Sequence, residues 1–223
     1  MRAFVVGNGP SLDAFQLGMI HKNKEVSFGV NRIHLIYPQT VWRPTYWVIM
    51  DFSNSLFYRE DIALHSALGY ECHVRNDILA KYLEWCIKHK NLPFMDNLRI
   101  LERCNHIDSE RRTSEGWHEP LCQMGGSVPA AIQMAVEMGH NPIYLIGMDG
   151  DKKGNAENNF IKGYVDPDAV MVNTARVANE TTELALKIAK RECSERNVEL
   201  IDATVGGSAY KALPEVDFYE LFD

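Results

Sequence analysis

The residues best suited to chemistry in this chain gather where short apolar runs end. Phe4-Val5-Val6 leads directly into Gly7-Asn8-Gly9-Pro10-Ser11-Leu12. Gly7 and Gly9 accept positive φ and leave no Cβ between the backbone and a ligand. If a helix follows, the turn's N–H groups converge on one place, which favours an anion such as a phosphate. The spacing is not G-x-G-x-x-G, because Leu12 stands at the third glycine, and no Gly-Lys-Ser/Thr follows as in a P-loop. A tight strand-to-helix connection without a ligand would use the same residues. Gly125-Gly126-Ser127 is a second turn of this kind. Gly126 and Ser127 could hold a second phosphate, or Ser127 could serve only as a helix N-cap.

Carboxylates and amides stand at comparable positions. Asp149 closes Ile143-Tyr144-Leu145-Ile146-Gly147-Met148. A carboxylate there can hold Mg²⁺ with waters and substrate phosphates, receive a ligand hydroxyl, or solvate a turn. Asn31 follows the apolar run 26–30, and Asp51 follows 46–50. The Asn31 amide can read a base edge or a phosphate, although asparagine also serves turns for local reasons. The eight histidines show no metal-ligand spacing. His21, His65 and His140 fall near predicted helix ends and are expected at the surface, leaving His118 as the candidate for acid–base work. No Gly-x-Ser-x-Gly elbow occurs. Lys152, Lys153 and Lys162 could meet a phosphate or simply be solvated.

The elements that must position these groups alternate. Strands are expected at 2–6, 26–30, 46–50, 72–74, 98–101, 143–146 and 198–201. Helices are expected at 13–20, 57–68, 77–90, from Ser127 to Gly139, and at 173–196, where apolar residues recur at helical spacing. A polar stretch at 104–124 reads as a long loop, and 150–172 as a polar insertion rich in Asn and Gly. This order predicts an α/β fold, a Rossmann-like and mainly parallel sheet with helices on both faces. Ligands of such sheets bind at the carboxyl ends of the strands. Gly7–Ser11, Asn31, Asp51, Asp149 and Asp202 should therefore share one rim.

With 223 residues, 46% hydrophobic and 24% charged, the chain fits a single domain spanning 1–223. A net charge of −7 disfavours a broad grip on nucleic acid and leaves a small anionic ligand open. Cys72, Cys86, Cys104, Cys122 and Cys193 are scattered, as expected for reduced thiols in a cytoplasmic protein. No apolar stretch approaches the ~20 residues of a membrane span. Segments 77–90 and 173–196 could supply the face of a homo-oligomer.

The Gly7–Leu12 turn, Asn31, and Gly126-Ser127-Val128 leading through a helix to Ile143–Asp149 together resemble a family akin to the archaeal hydroxymethylpterin diphosphokinases. They also resemble the bacterial sialyltransferases of the Campylobacter type. The resemblance spans roughly residues 1–55 and 120–205. The diphosphokinase likeness, which the Gly-Gly-Ser-Val start fits better, implies ATP and Mg²⁺, with pyrophosphate passing to a hydroxymethyl group. The sialyltransferase likeness implies a CMP-sugar donor, with Asn8, Ser11, Asn31 and Ser127 matching donor-site positions. Asp51 departs from it, standing where those enzymes carry Asn. Residues 150–180 also lack the His base of those enzymes, and Tyr164 is the one tyrosine there to meet a phosphate. The expectation is a nucleotide-dependent group transferase of the ATP/Mg²⁺ pyrophosphokinase kind. A glycosyltransferase and a non-catalytic nucleotide-binding module are the alternatives. Gly7, Asn8, Gly9 and Ser11 would cradle phosphate or ribose, Asn31 would contact base or phosphate, and Gly126 and Ser127 would anchor a second phosphate. Asp149, with Asp51, would hold Mg²⁺ or orient the acceptor.

Overall fold

The computed structural model describes residues 1–50, 59–90, 96–101, 117, 126–150, 159–162, 164 and 175–223. Seven strands, β1 (Ala3–Val6), β2 (Val26–Val30), β3 (Tyr46–Ile49), β4 (Glu71–Arg75), β5 (Leu98–Leu101), β6 (Ile143–Ile146) and β7 (Leu200–Asp202), form one sheet. Its order is β5-β4-β3-β2-β1-β6-β7 and every pairing is parallel. The chain steps outward from β1 to β5, then returns to lay β6 on the other side of β1. The order therefore reverses between β1 and β6, which is where open parallel sheets leave a crevice for ligands. All four residues of β1 are buried, as the unbroken apolar run Ala3–Val6 requires in a sheet covered on both faces.

Among the described residues five α-helices cover that sheet: α1 (Ala14–Lys22), α2 (Arg59–Ala67), α3 (Asn76–Lys88), α4 (Ser127–Glu137) and α5 (Ala175–Glu195). Asp13 starts α1 with a capping box, its carboxylate accepting from Gln16 N at 2.9 Å. Ala131, Ala135, Leu186 and Ala189 from α4 and α5 pack with Val5, Phe28 and Leu145 on one face. Leu17, Ile20, Ile62, Ile78 and Tyr82 from α1, α2 and α3 pack with Phe4, Val6, Trp47 and Val74 on the other. The α/β, Rossmann-like arrangement expected from the sequence is thus present. Gly139, expected to end a helix, follows α4 with φ 79° and donates to Val136 O at 2.9 Å.

Three local differences stand out. A 3₁₀ helix, Asn31–Gln39, follows β2 with Pro38 inside it, which the apolar pattern did not signal. The last strand ends at Asp202 rather than Ile201. His65, expected at the surface, is 2% exposed, because its ring packs on Trp47, Tyr37 and Tyr70 at 4.8, 5.8 and 5.0 Å between centroids. Most of 104–124 and 150–172 lies outside the described residues; Trp117 lies 5.5 Å from the Arg196 guanidinium carbon. Cys72, Cys86 and Cys193 are buried free thiols, and burial pushes Cys193 up to about 12. Among the described residues no helix is long and apolar enough to cross a membrane.

Candidate functional site

The first turn is held by the end of β6. Gly7 N donates to Ile146 O and Gly9 N to Gly147 O, both at 2.8 Å. The two strand ends approach so closely that side chains have no room. A Cβ on Gly7 would lie 2.5 Å from Gly147 O, and one on Gly147 would lie 2.9 Å from Gly7 O. At Gly9 a Cβ would meet Asp149 Oδ2 at 1.9 Å and Gly147 O at 2.6 Å. Asp149 is 4% exposed, and its carboxylate accepts from Ser11 N at 3.2 Å and from Ser11 Oγ at 2.8 Å. The donors that the sequence aimed at a phosphate are therefore engaged inside the protein. The anion facing Ser11 is the chain's own carboxylate.

The chain following β7 braces the same junction. Met148 N donates to Thr204 Oγ1 at 3.1 Å, and Ser208 Oγ to Met148 O at 2.5 Å. Asp202, a rim candidate by position, is buried and accepts from Thr204 N at 2.9 Å. Burial raises its carboxyl above the ordinary range, against the bonds from Thr204 that lower it.

A second group of polar side chains lies one strand across, between β1, β2 and α4. Asn8 Nδ2 donates to Val30 O at 3.0 Å, fixing the amide between the two strand ends. Asn8 Oδ1 is buried and has no partner among the described residues. Asn31 takes a left-handed conformation, φ 47°, which asparagine adopts more readily than most residues. Its side-chain oxygen accepts from Ser127 Oγ at 2.7 Å and from Met50 N at 3.3 Å, and its carbonyl accepts from Trp47 Nε1 at 2.6 Å. Asn31 thus joins the ends of β2 and β3 to the first residue of α4. Ser127 is not the N-cap that the sequence suggested. Gly126 holds that position with φ 105°, and no side chain caps the helix there. The Ser127 hydroxyl donates to Asn31 instead, so among the described residues neither Gly126 nor Ser127 caps the first N–H groups of α4 with a side chain.

The described part of the insertion closes over this edge. Phe160 N donates to Asn8 O at 3.0 Å. Arg32 donates through Nη1 to the Tyr164 carbonyl and through its backbone N to the Tyr164 hydroxyl at 3.3 Å. Its guanidinium carbon lies 5.5 Å from the Tyr164 ring centroid. Arg32 went unnoticed in the sequence, as did Arg75, 5% exposed at the end of β4 and bonded to Asp77 and to Met50 O. The signal was available in both cases: an arginine at or just past the carboxyl end of an expected strand. Asp51, His118, Lys152 and Lys153 lie outside the described residues, and Lys162 is exposed. The structure brings Gly7, Asn8, Gly9, Ser11 and Asp149 together at one junction, with Asn31, Gly126 and Ser127 beside it. Among the described residues no three His, Cys, Asp or Glu side chains could hold a metal ion.

Comparison with known proteins agrees with the fold. No protein-family model matches the chain, and no curated protein matches it in sequence. A solved glycosyltransferase, MAf from Magnetospirillum magneticum AMB-1, superposes with a TM-score of 0.58 at 15% identity. The match covers 98% of this chain and 34% of that one, so the chain spans about a third of that protein's length. The sialyltransferase CST-II, solved in complex with CMP, superposes with a TM-score of 0.54 at 12% identity, over 96% of this chain and 85% of that one. At these identities the likeness is one of fold.

Proposed function

We propose that the chain is a glycosyltransferase-type protein that binds a nucleotide-sugar donor, with CMP as the nucleotide, at the edge formed by β1, β2 and the start of α4. The observation that carries this reading is the buried Asn8 Oδ1, without a partner among the described residues, set beside Asn31, Ser127 and the start of α4. A buried amide oxygen left unsatisfied costs about 1–3 kcal/mol, which a ligand hydroxyl or amino group would recover. The α4 terminus would receive the donor phosphate, and the Tyr164 hydroxyl, held by Arg32, would meet the same group. The glycosyltransferase neighbours, one of them a CMP complex, favour this reading over an ATP/Mg²⁺ pyrophosphokinase. So does the state of Asp149: a carboxylate already bonded to Ser11 and packed on Gly9 is poorly disposed to ligate Mg²⁺. No step in this reading runs through a metal.

Thermal unfolding with CMP, CTP, ATP and ADP, each with and without Mg²⁺, tests it. At ~100 times its dissociation constant a ligand of the folded state adds about 2.7 kcal/mol, or roughly 5–11 °C in Tm for a domain of this size. A Mg²⁺-independent shift with CMP is expected, and it should be lost in Asn8→Ala. A shift with ATP that requires Mg²⁺ would favour the pyrophosphokinase instead. No shift with any nucleotide would remove the nucleotide reading altogether.

A further inference from the structure

A second cavity lies on the sheet face covered by α2, walled by the 3₁₀ helix, the chain leading into β3, and α2 itself. It encloses about 350 Å³, and Tyr37, Pro38, Arg43, Asp61, Leu64 and Leu68 line it. None of Asn8, Ser11, Asn31 or Ser127 is among its walls. Its size is within the range of small-molecule sites.

The wall carries polar groups that the fold leaves incomplete. The Tyr37 hydroxyl is buried and has no partner among the described residues. Burial raises its pKa well above the ordinary tyrosine value, so it is a proton donor throughout the accessible pH range. The Arg43 guanidinium carbon lies 4.0 Å from the Tyr37 ring centroid. Only Arg43 Nη1 is engaged, donating to the carbonyls of Thr40 and Trp42 at 2.9 and 2.6 Å; Nε and Nη2 have no partner among the described residues. A guanidinium edge with two open donors, backed by an aromatic ring, is suited to a carboxylate. Asp61 supplies the opposite charge. One of its oxygens lies 3.2 Å from His34 Nε2, and its side chain keeps 37% of its surface open. Arg43 and Asp61 both act electrostatically on the Tyr37 hydroxyl, with opposite sign. Leu64 and Leu68, 61% and 59% exposed and one helical turn apart, add an apolar lip.

A simple anion would meet Asp61, and a simple cation would meet Arg43. A neutral apolar guest would desolvate both charges without pairing either, which is costly. We propose that this cavity is a binding site for a small zwitterion with a hydrocarbon body, an apolar α-amino acid. Its carboxylate pairs with the open edge of Arg43 and takes the Tyr37 hydroxyl. Its ammonium pairs with Asp61, and its side chain covers Leu64 and Leu68.

Calorimetric titration of the full chain with leucine, methionine and phenylalanine tests this. It is run beside 4-methylpentanoate, which lacks the ammonium, and 3-methylbutylamine, which lacks the carboxylate. At least one of the amino acids is expected to bind, and each singly charged analogue to bind at least about tenfold more weakly, since a charge-assisted hydrogen bond contributes that much. Arg43→Gln and Asp61→Asn should each weaken binding by a similar factor. Leu68→Trp, a change at an exposed position that leaves the fold intact, should abolish it by filling the mouth. Failure of all three amino acids to bind would overturn the proposal. So would equal binding of the analogues, or binding that survives Leu68→Trp. Because the cavity shares no residue with the proposed donor edge, CMP titration of the Leu68→Trp protein should be unchanged, which separates failure here from failure there.

Discussion

Gly9 owes its identity to a carboxylate of its own chain. A Cβ there would sit 1.9 Å from Asp149 Oδ2 and 2.6 Å from a backbone carbonyl, so relief would require the β6 end to move. Gly9→Ala is expected to destabilise by roughly 1–3 kcal/mol, lowering Tm by about 2–12 °C. Its melting curve would refute that placement if it matched the parent's. Asp149 separates a structural role from a metal role through a pair of variants. Asp149→Asn keeps an oxygen for Ser11 N and can satisfy Ser11 Oγ through a donor–acceptor exchange, so stability and nucleotide binding should change little. Asp149→Ala leaves Ser11 N facing a void and should cost about 1–3 kcal/mol. If Asp149→Asn instead abolished a Mg²⁺-dependent nucleotide shift while leaving Tm in place, the carboxylate would be a metal ligand.

At the scale of elements, the site is a meeting of ends, and Asn31 shows how much of it was readable. The apolar runs that became β1, β2, β3 and β6, and the residues that close them, stand plainly in the sequence, because parallel strands buried on both faces must be continuously apolar. What the Ser127 hydroxyl does was not readable. Local rules made it an N-cap, but a partner 96 positions away took it. Nor could the 3₁₀ helix be foreseen. It begins where Asn31 turns left-handed, and that conformation is fixed by Met50, Trp47 and Ser127. Ser127→Ala removes one donor from an oxygen that keeps another, so a loss of about 0.5–1.5 kcal/mol is expected. Asn31→Ala should cost more than Asn31→Gly by about 1 kcal/mol, because glycine accepts the left-handed backbone and alanine does not. Urea midpoints of the three variants order these effects. Equal midpoints for Asn31→Ala and Asn31→Gly would show that the backbone there is not constrained.

Across the whole molecule, topology was legible from the alternation of strands and helices, whereas burial of polar rings was not. Hydrophobic pattern treats histidine as polar, and only the assembled α2, β3 and 3₁₀ helix enclose His34 and His65. That enclosure sets how the protein responds to acid. Burial lowers His34 to about 4 and His65 to about 3, while both start from 6.5 in the unfolded chain. Between those values the unfolded state binds more protons, so the stability present above pH 6.5 is lost as pH falls. Each of the two should remove about 2 kcal/mol by about pH 5. His73, also lowered by burial beside Glu71, acts in the same direction. Asp61 and Asp202 are raised by burial and act in the opposite sense, adding stability as pH falls. Urea unfolding at about pH 7.5, 6 and 5 should therefore show a steep decline, shallower in His65→Phe, which keeps a ring stacked on Tyr37 and edge-on to Trp47 and cannot titrate. His65→Phe should match or exceed the parent's stability at neutral pH, since His65 Nε2 is buried without a partner among the described residues. A midpoint that stays level down to pH 5 would mean that His34 and His65 reach water in the folded protein, and the closed aromatic wall of α2 and β3 would have to be abandoned.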